Sequence, residues 1–169
     1  MSAPDFRVGL GFDVHPFSDD PRRLLVLGGV TLAGERGLAG HRDADAVTHA
    51  VADGLLGAAG LGDLGSRFPD TDPAWAGADS LRLLASVVEA VRADGWAPAN
   101  VDCAVVLDAP RLAPHVQQME ATLSGVVSPE VHDAALDLAT DTRGVRRVRD
   151  TLRDKGRWNR PTRRQDAPT

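Results

Sequence analysis

The chain has 169 residues, 43% hydrophobic and 25% charged, which is the length of one domain able to bury a core without staples. Its single cysteine, Cys103, excludes an internal disulfide framework and fits a reducing cytoplasm, while no apolar run reaches membrane-spanning length and the N-terminus lacks a basic-then-apolar leader. The net charge of −5 is unevenly spread: residues 139–169 hold 10 of the 19 Lys and Arg but 4 of the 24 Asp and Glu, so the body is acidic and offers no basic footprint for nucleic acid.

Phe6 to Val14 alternates loosely and reads as a first strand. Leu24 to Leu32 is apolar but interrupted by Gly28-Gly29, which predicts a bulged strand or a hairpin. A Gly-rich loop follows, and Asp43 is placed to cap a helix that runs to about Ala59 and closes on Gly60. Leu61 to Ala78 is long and irregular, as loops that are functional or disordered usually are. Ser80 to Asp94 reads as a helix with Leu81, Leu84, Val88 and Val91 on one face. Asn100 to Leu107 reads as a buried strand, Leu112 or Ala113 to Gly125 as a helix, and Ala134 to Ala139 as a last strand. The order predicts an α/β (α+β) sandwich, a mixed sheet with helices on one face, over residues 1–142. Residues 143–169 form a basic tail without apolar periodicity, expected to be poorly ordered.

Three groups of side chains carry chemical potential. Asp13 and His15 are one residue apart and would share a strand face, and His49 lies on the first helix. Two imidazoles and a carboxylate suit zinc or a similar ion, and three protein ligands leave a coordination position open. Asp45, His49 and Asp53 follow at i, i+4 and i+8 among core-type residues; they are either a solvent-facing stripe or a buried set that needs partners or a metal. The second group is Gly62-Asp63-Leu64-Gly65 with Phe68-Pro69-Asp70-Thr71-Asp72-Pro73, whose turns could expose N–H groups to phosphate or hydroxyl oxygens, or could simply be loop. The third runs from Ala109 to His115, where a strand ends and a helix begins beside Arg111: an anion seat or a plain connection. His41, in the loop before the first helix, stands between a loop histidine and a catalyst.

Together these segments resemble the 2-C-methyl-D-erythritol 2,4-cyclodiphosphate synthase family. The resemblance runs from about Arg7 to Met119 and rests on residues 11–15 (GFDVH), 28–30 (GGV), 41–65 (HRDADAVTHAVADGLLGAAGLGDLG), 68–73 (FPDTDP), 77–80 (GADS) and 108–119 (DAPRLAPHVQQM). It implies a cytoplasmic homotrimer with sites between subunits, in which Asp13, His15 and His49 hold a zinc-type ion. His41 would stabilise the transition state. Asp13, Val14, His15, His41 and Arg42 would face the phosphates, Asp63, Leu64, Gly65, Phe68, Pro69, Asp70, Thr71 and Asp72 the methylerythritol part, and Leu107, Asp108, Ala109, Pro110, Arg111, Leu112 and Ala113 the cytidine nucleotide. The implied reaction has the substrate's own 2-phosphate attack the β-phosphate of its CDP group, releasing CMP, with a second Mg²⁺ or Mn²⁺ on the diphosphate and no protein nucleophile.

Two departures from the family pattern stand out. Arg42 replaces the serine that usually follows the loop histidine. Where the family carries Lys-Ala-Thr-Thr-Thr-Glu, this chain reads Leu138-Ala139-Thr140-Asp141-Thr142-Arg143, which places Asp141 at the catalytic threonine and leaves Thr140 as the catalytic hydroxyl beside it. The competing readings are a catalytically impaired relative that keeps metal and ligand binding, and a generic divalent-metal phosphohydrolase.

Overall fold

The computed structural model describes residues 6–69, 71–72, 75, 78–128 and the backbone of 145–150. The fold is α/β. Strands β1 (Leu25–Leu27) and β2 (Val30–Leu32) pair antiparallel, Leu25 with Leu32 and Leu27 with Val30. Gly28 and Gly29, at φ 56° and 73°, make a two-residue turn, so of the bulge and the hairpin it is the hairpin that forms. The outer residues of both strands point inward, so Leu25, Leu27, Val30 and Leu32 are buried.

Helix α1 (Ala46–Ala59) begins later than expected. Arg42 and Ala44 both have φ 53°, outside the right-handed helical region, so the helix cannot start at Asp43. Asp45 is the cap instead: its carboxylate accepts from the Thr48 N–H. Gly60 closes the helix in the left-handed conformation, as expected. Helix α2 (Leu64–Arg67) is a single turn inside the segment read as irregular. Helix α3 (Ser80–Ala93), capped by Asp79, packs across α1 with Leu83, Leu84, Val87, Val88 and Val91 buried; Leu83 and Val87 join the predicted face, and Leu81 lies at its edge.

Strand β3 (Val101–Val105) is followed by helix α4 (Val116–Val127). The helix starts at Val116, later than expected, after a turn in which the Leu112 carbonyl accepts from the His115 and Val116 N–H groups. Met119, Leu123 and Val127 bury its inner face. Strand β4 (Val145–Asp150) pairs parallel with β3. Backbone pairing needs no apolar periodicity, which is why the sequence carried no sign of it.

Among the described residues the strands form two two-stranded ladders, one antiparallel and one parallel. One expectation about the strands is corrected. Phe6 to Val14 is extended but forms no ladder among the described residues. It is held against the helices by side chains: Arg7 donates to the Ala59 carbonyl at 3.0 Å and its guanidinium lies 4.2 Å from the Trp96 ring centre. The alternation survives without the ladder, because packing on one side alone produces it. The last strand expected at Ala134 to Ala139 lies outside the described residues.

Candidate metal centre

The first requirement of the site is that an extended segment lie directly on a helix. A Cβ on Gly11 would sit 1.8 Å from the Ala50 carbonyl oxygen, and one on Gly9 would sit 1.9 Å from that of Gly54. Only hydrogen fits at either place, so the backbone rests on α1 and carries Asp13 and His15 over His49. The intervening Val14 points outward and is exposed.

The three predicted ligands do converge. Asp13 Oδ2 lies 3.0 Å from His15 Nε2 and 3.0 Å from His49 Nδ1. One ligand atom from each residue falls within 4.8 Å of the others, and the side chains are 22%, 18% and 13% exposed for Asp13, His15 and His49. The imidazoles meet edge to face, 6.0 Å between centres at 61°. His15 Nε2 is buried without a hydrogen-bond partner, since its approach to Asp13 lacks hydrogen-bond geometry. A buried lone pair without a donor is costly, and a cation bound here satisfies it. The carboxylate and imidazole set fits zinc or a related ion.

Several residues that position this set carry no metal-type signal of their own. A Cβ on Gly40 would come within 2.7 Å of the His15 ring, so that glycine is the floor under the imidazole. His41 follows it directly, exposed in the turn that leads to α1. Arg23 clamps the same loop by donating to the carbonyls of Leu38, Gly40 and Arg42. Ser80 Oγ lies 2.8 Å from His49 Nε2 and contacts Asp43, which also accepts from the Ser80 N–H at 2.9 Å. Gly40 stands directly before the loop histidine and Ser80 ends the GADS string of residues 77–80, but nothing marked Arg23.

Of the polar stripe on α1, only His49 joins the site. Asp45 is completely buried and accepts from Gly28 N–H (2.8 Å), Gly29 N–H (2.6 Å), Thr48 N–H (3.0 Å) and the Thr48 hydroxyl (2.7 Å), locking the hairpin turn to the helix. Asp53 accepts from the Leu64 N–H at 2.7 Å and so anchors α2. That N–H is therefore already occupied, and the Leu64 side chain is buried in the core.

Asp63 caps α2 and is exposed; the Ser66 N–H, then its hydroxyl, hold the carboxyl below its ordinary value. Gly65 is exposed beside it. Phe68 is buried against Trp75, the rings 4.7 Å apart and nearly perpendicular. Pro69 and Thr71 are exposed, the Asp72 N–H donates to the Pro69 carbonyl, and Asp70 lies outside the described residues. Arg42 donates to the Trp75 carbonyl at 3.1 Å and to the Phe68 carbonyl at 3.2 Å, so the residue that replaces the usual serine ties the His41 turn to this loop.

The third predicted segment follows β3. Leu107 is half-buried, Asp108 and Ala109 are exposed, the Ala109-Pro110 bond is cis, Arg111 and Ala113 are exposed, and Leu112 is buried in the core. A cavity of about 1130 Å³ is lined by Asp13 and His15, the adjoining Gly9 to Phe12, α1, Trp96 and β3, and includes Leu107. Cys103 borders it, but burial, and then Asp102, push its thiol up to about 11, so it is no thiolate at neutral pH. Thr140, Asp141 and Arg143 lie outside the described residues.

A family model described as the YgbB family matches residues 6–147. The chain belongs to the YgbB family. It is 52% identical over 139 residues, 82% of this chain and 87% of the other, to the 2-C-methyl-D-erythritol 2,4-cyclodiphosphate synthase of Salinibacter ruber. A solved 2C-methyl-D-erythritol-2,4-cyclodiphosphate synthase in a CDP-bound form superposes with TM-score 0.67 at 38% identity, covering 72% of this chain and 79% of that one. The bifunctional IspDF of Campylobacter jejuni superposes with TM-score 0.71 at 35% identity; it covers 89% of this chain, which spans 37% of that longer one. The family match extends past Met119, where the resemblance in separate strings ends.

Proposed function

We propose that this YgbB-family protein converts 4-diphosphocytidyl-2-C-methyl-D-erythritol 2-phosphate to 2-C-methyl-D-erythritol 2,4-cyclodiphosphate and CMP, as a lyase of non-mevalonate isoprenoid biosynthesis. The observation that carries this is the convergence of Asp13, His15 and His49 in a chain 52% identical to a synthase of that name. A 2-phosphate oxygen of the substrate attacks the β-phosphorus, and the bond to the CMP oxygen breaks. Asp13, His15 and His49 would hold the ion, which when bound would neutralise phosphoryl charge. A second Mg²⁺ or Mn²⁺ accompanies the diphosphate as part of the substrate.

The chain's own residues fold the substrate so that its phosphates meet, and such positioning can supply roughly 7–11 kcal/mol of a barrier. His41 and Thr140 stabilise the developing charge. The α2 cap at Asp63 and the Phe68 to Asp72 loop hold the methylerythritol hydroxyls, and Leu107 to Ala113 the cytidine, with Arg111 as its cation. The raised Cys103 thiol agrees with a reaction that needs no protein nucleophile.

A homotrimer with sites between subunits is part of this reading. It is supported by Phe6, Val8, Leu10, Phe12 and Val14, which lie 73–92% exposed on the side of the segment away from α1. A row of this kind is characteristic of a surface covered by a partner. No helix among the described residues is long and apolar enough to cross a membrane, and with a single cysteine a cytoplasmic setting is proposed. The alternative of an impaired relative finds no support in these observations.

The test is CMP release from the diphosphocytidyl substrate by the metal-loaded protein, with sizing of the same sample. Release that is abolished by a chelator and restored by zinc supports the proposal. Zinc bound without CMP release would sink it in favour of the impaired relative, and free phosphate would favour a hydrolase.

A further inference from the structure

The metal reading leaves one feature of the site unused: the contacts on the far side of His49. Ser80, the first residue of α3, is buried, and its hydroxyl oxygen sits between His49 Nε2 at 2.8 Å and Asp43 Oδ1. The other oxygen of Asp43 accepts from the Ser80 N–H at 2.9 Å. A hydroxyl has one proton to give, and an ionised carboxylate can only accept. The Ser80 proton therefore goes to Asp43, because the opposite arrangement would press two oxygen lone pairs together. Ser80 Oγ is then an acceptor toward the ring, and His49 Nε2 must carry the hydrogen. Nδ1 is then the nitrogen turned toward Asp13 Oδ2, 3.0 Å away, and toward the unpartnered His15 Nε2, 3.0 Å from that same oxygen. A cation bound there would take Nδ1 as its ligand while Nε2 keeps its hydrogen.

We propose that Asp43 and Ser80 form a hydrogen-bonded relay that sets the tautomer and orientation of His49 so that Nδ1 is presented as a ligand. This deepens the metal reading and rests on it. Asp43 and Ser80 are positioning residues, not ligands. The relay also accounts for where α1 starts: Asp43 is withheld from capping it because its carboxylate is committed to the N-terminus of α3. Residues that fix the second nitrogen of a ligating histidine typically change metal affinity 10- to 100-fold when removed.

Two variants reverse or remove the relay in the full chain. In Asp43→Asn the amide oxygen keeps the Ser80 N–H, so its NH₂ faces Ser80 Oγ; the hydroxyl turns to donate to Nε2 and the hydrogen moves to Nδ1. Ser80→Ala deletes the bridge and keeps the backbone contact. Zinc affinity is measured by chelator competition, and the His49 ring by ¹⁵N NMR of the zinc-loaded protein. The wild type is expected to coordinate through Nδ1 and to show an Nε2–H protected from solvent exchange. Both variants are expected to lose zinc affinity about 10- to 100-fold and, when saturated with zinc, to lose that protection, and Ser80→Thr, which restores a hydroxyl, is expected to recover both.

Unchanged affinity in both variants overturns the proposal. So does weaker binding with an equally protected Nε2–H, which would make the role merely structural. A variant that fails to fold leaves the wild-type spectrum to decide, where a His49 coordinated through Nε2, or an Nε2–H open to exchange, overturns it. If the wild type binds no zinc, the metal reading and the relay built on it both fail, whereas zinc binding that both variants leave unchanged fails the relay alone.

Discussion

Gly11→Ala should damage the metal centre without touching any ligand. The added Cβ would stand 1.8 Å from the Ala50 carbonyl oxygen, 2.5 Å from the Gly54 nitrogen and 2.8 Å from the Ala50 carbonyl carbon, all of them helix backbone that cannot swing aside. Relief to ordinary contact requires the segment to lift off α1 by roughly 1.5 Å. Asp13 and His15, two and four residues on, ride on that segment, whereas His49 stays on the helix. Ligand distances tolerate about 0.2 Å around a bound metal, so the displacement exceeds the tolerance several times over. The expected cost is about 1–3 kcal/mol of stability, the range for overpacking, and a zinc affinity reduced at least about 100-fold, beyond the loss typical of an outer partner. The matched control is Gly57→Ala on the exposed side of the same helix, where a Cβ meets nothing within 4 Å. It should leave zinc binding unchanged and gain about 0.5–1 kcal/mol from helix propensity. Chelator competition and urea denaturation of both variants decide the matter. Wild-type zinc affinity in Gly11→Ala, or equal losses in the two variants, would refute the idea that close approach to α1 builds the site.

Asp45→Ala strands the Gly28 and Gly29 N–H groups together with both Thr48 donors, and should cost about 3–5 kcal/mol in denaturant unfolding; a loss below about 1 kcal/mol would contradict its role as a buried pin. Arg42→Ala removes the ties to Phe68 and Trp75, so amide exchange in that loop should rise while zinc affinity stays constant; an unchanged exchange pattern would count against the tie. Cys103 should alkylate slowly in the native protein until the pH approaches about 11, against the ordinary 9.0 of the unfolded thiol. A folded value raised above the unfolded one means that the thiol's contribution to stability is intact below pH 9.0 and fades as the pH climbs through about 11. Rapid native labelling at pH 8, the lower flank of that window, would contradict it.

Local features were legible where one residue type forces one backbone or one partner. Gly28-Gly29 read as a turn, Gly60 as a helix end, and the apolar face of α3 as core, because steric freedom and 3.6-residue spacing are properties of the chain itself. The ligand trio was legible too, since Asp13 and His15 at a two-residue interval must share a side of any extended segment. Helix starts were less so. Asp43 and Asp45 are both competent caps, and only the left-handed Ala44 between them, with Ser80 waiting for Asp43, decides which one serves.

What the linear chain determined by itself was the stock of chemistry: a carboxylate and two imidazoles suited to one divalent ion, and glycines where no side chain could fit. Tertiary structure alone decided which polar groups are free for that chemistry. Asp45, His49 and Asp53 look equivalent along α1, yet two of them are consumed by backbone N–H groups from the β1–β2 turn and α2, and one is aimed by α3. The physical reason is that a buried polar group must be satisfied by whichever donor or acceptor packing brings to it, and those partners lie 11 to 36 residues away.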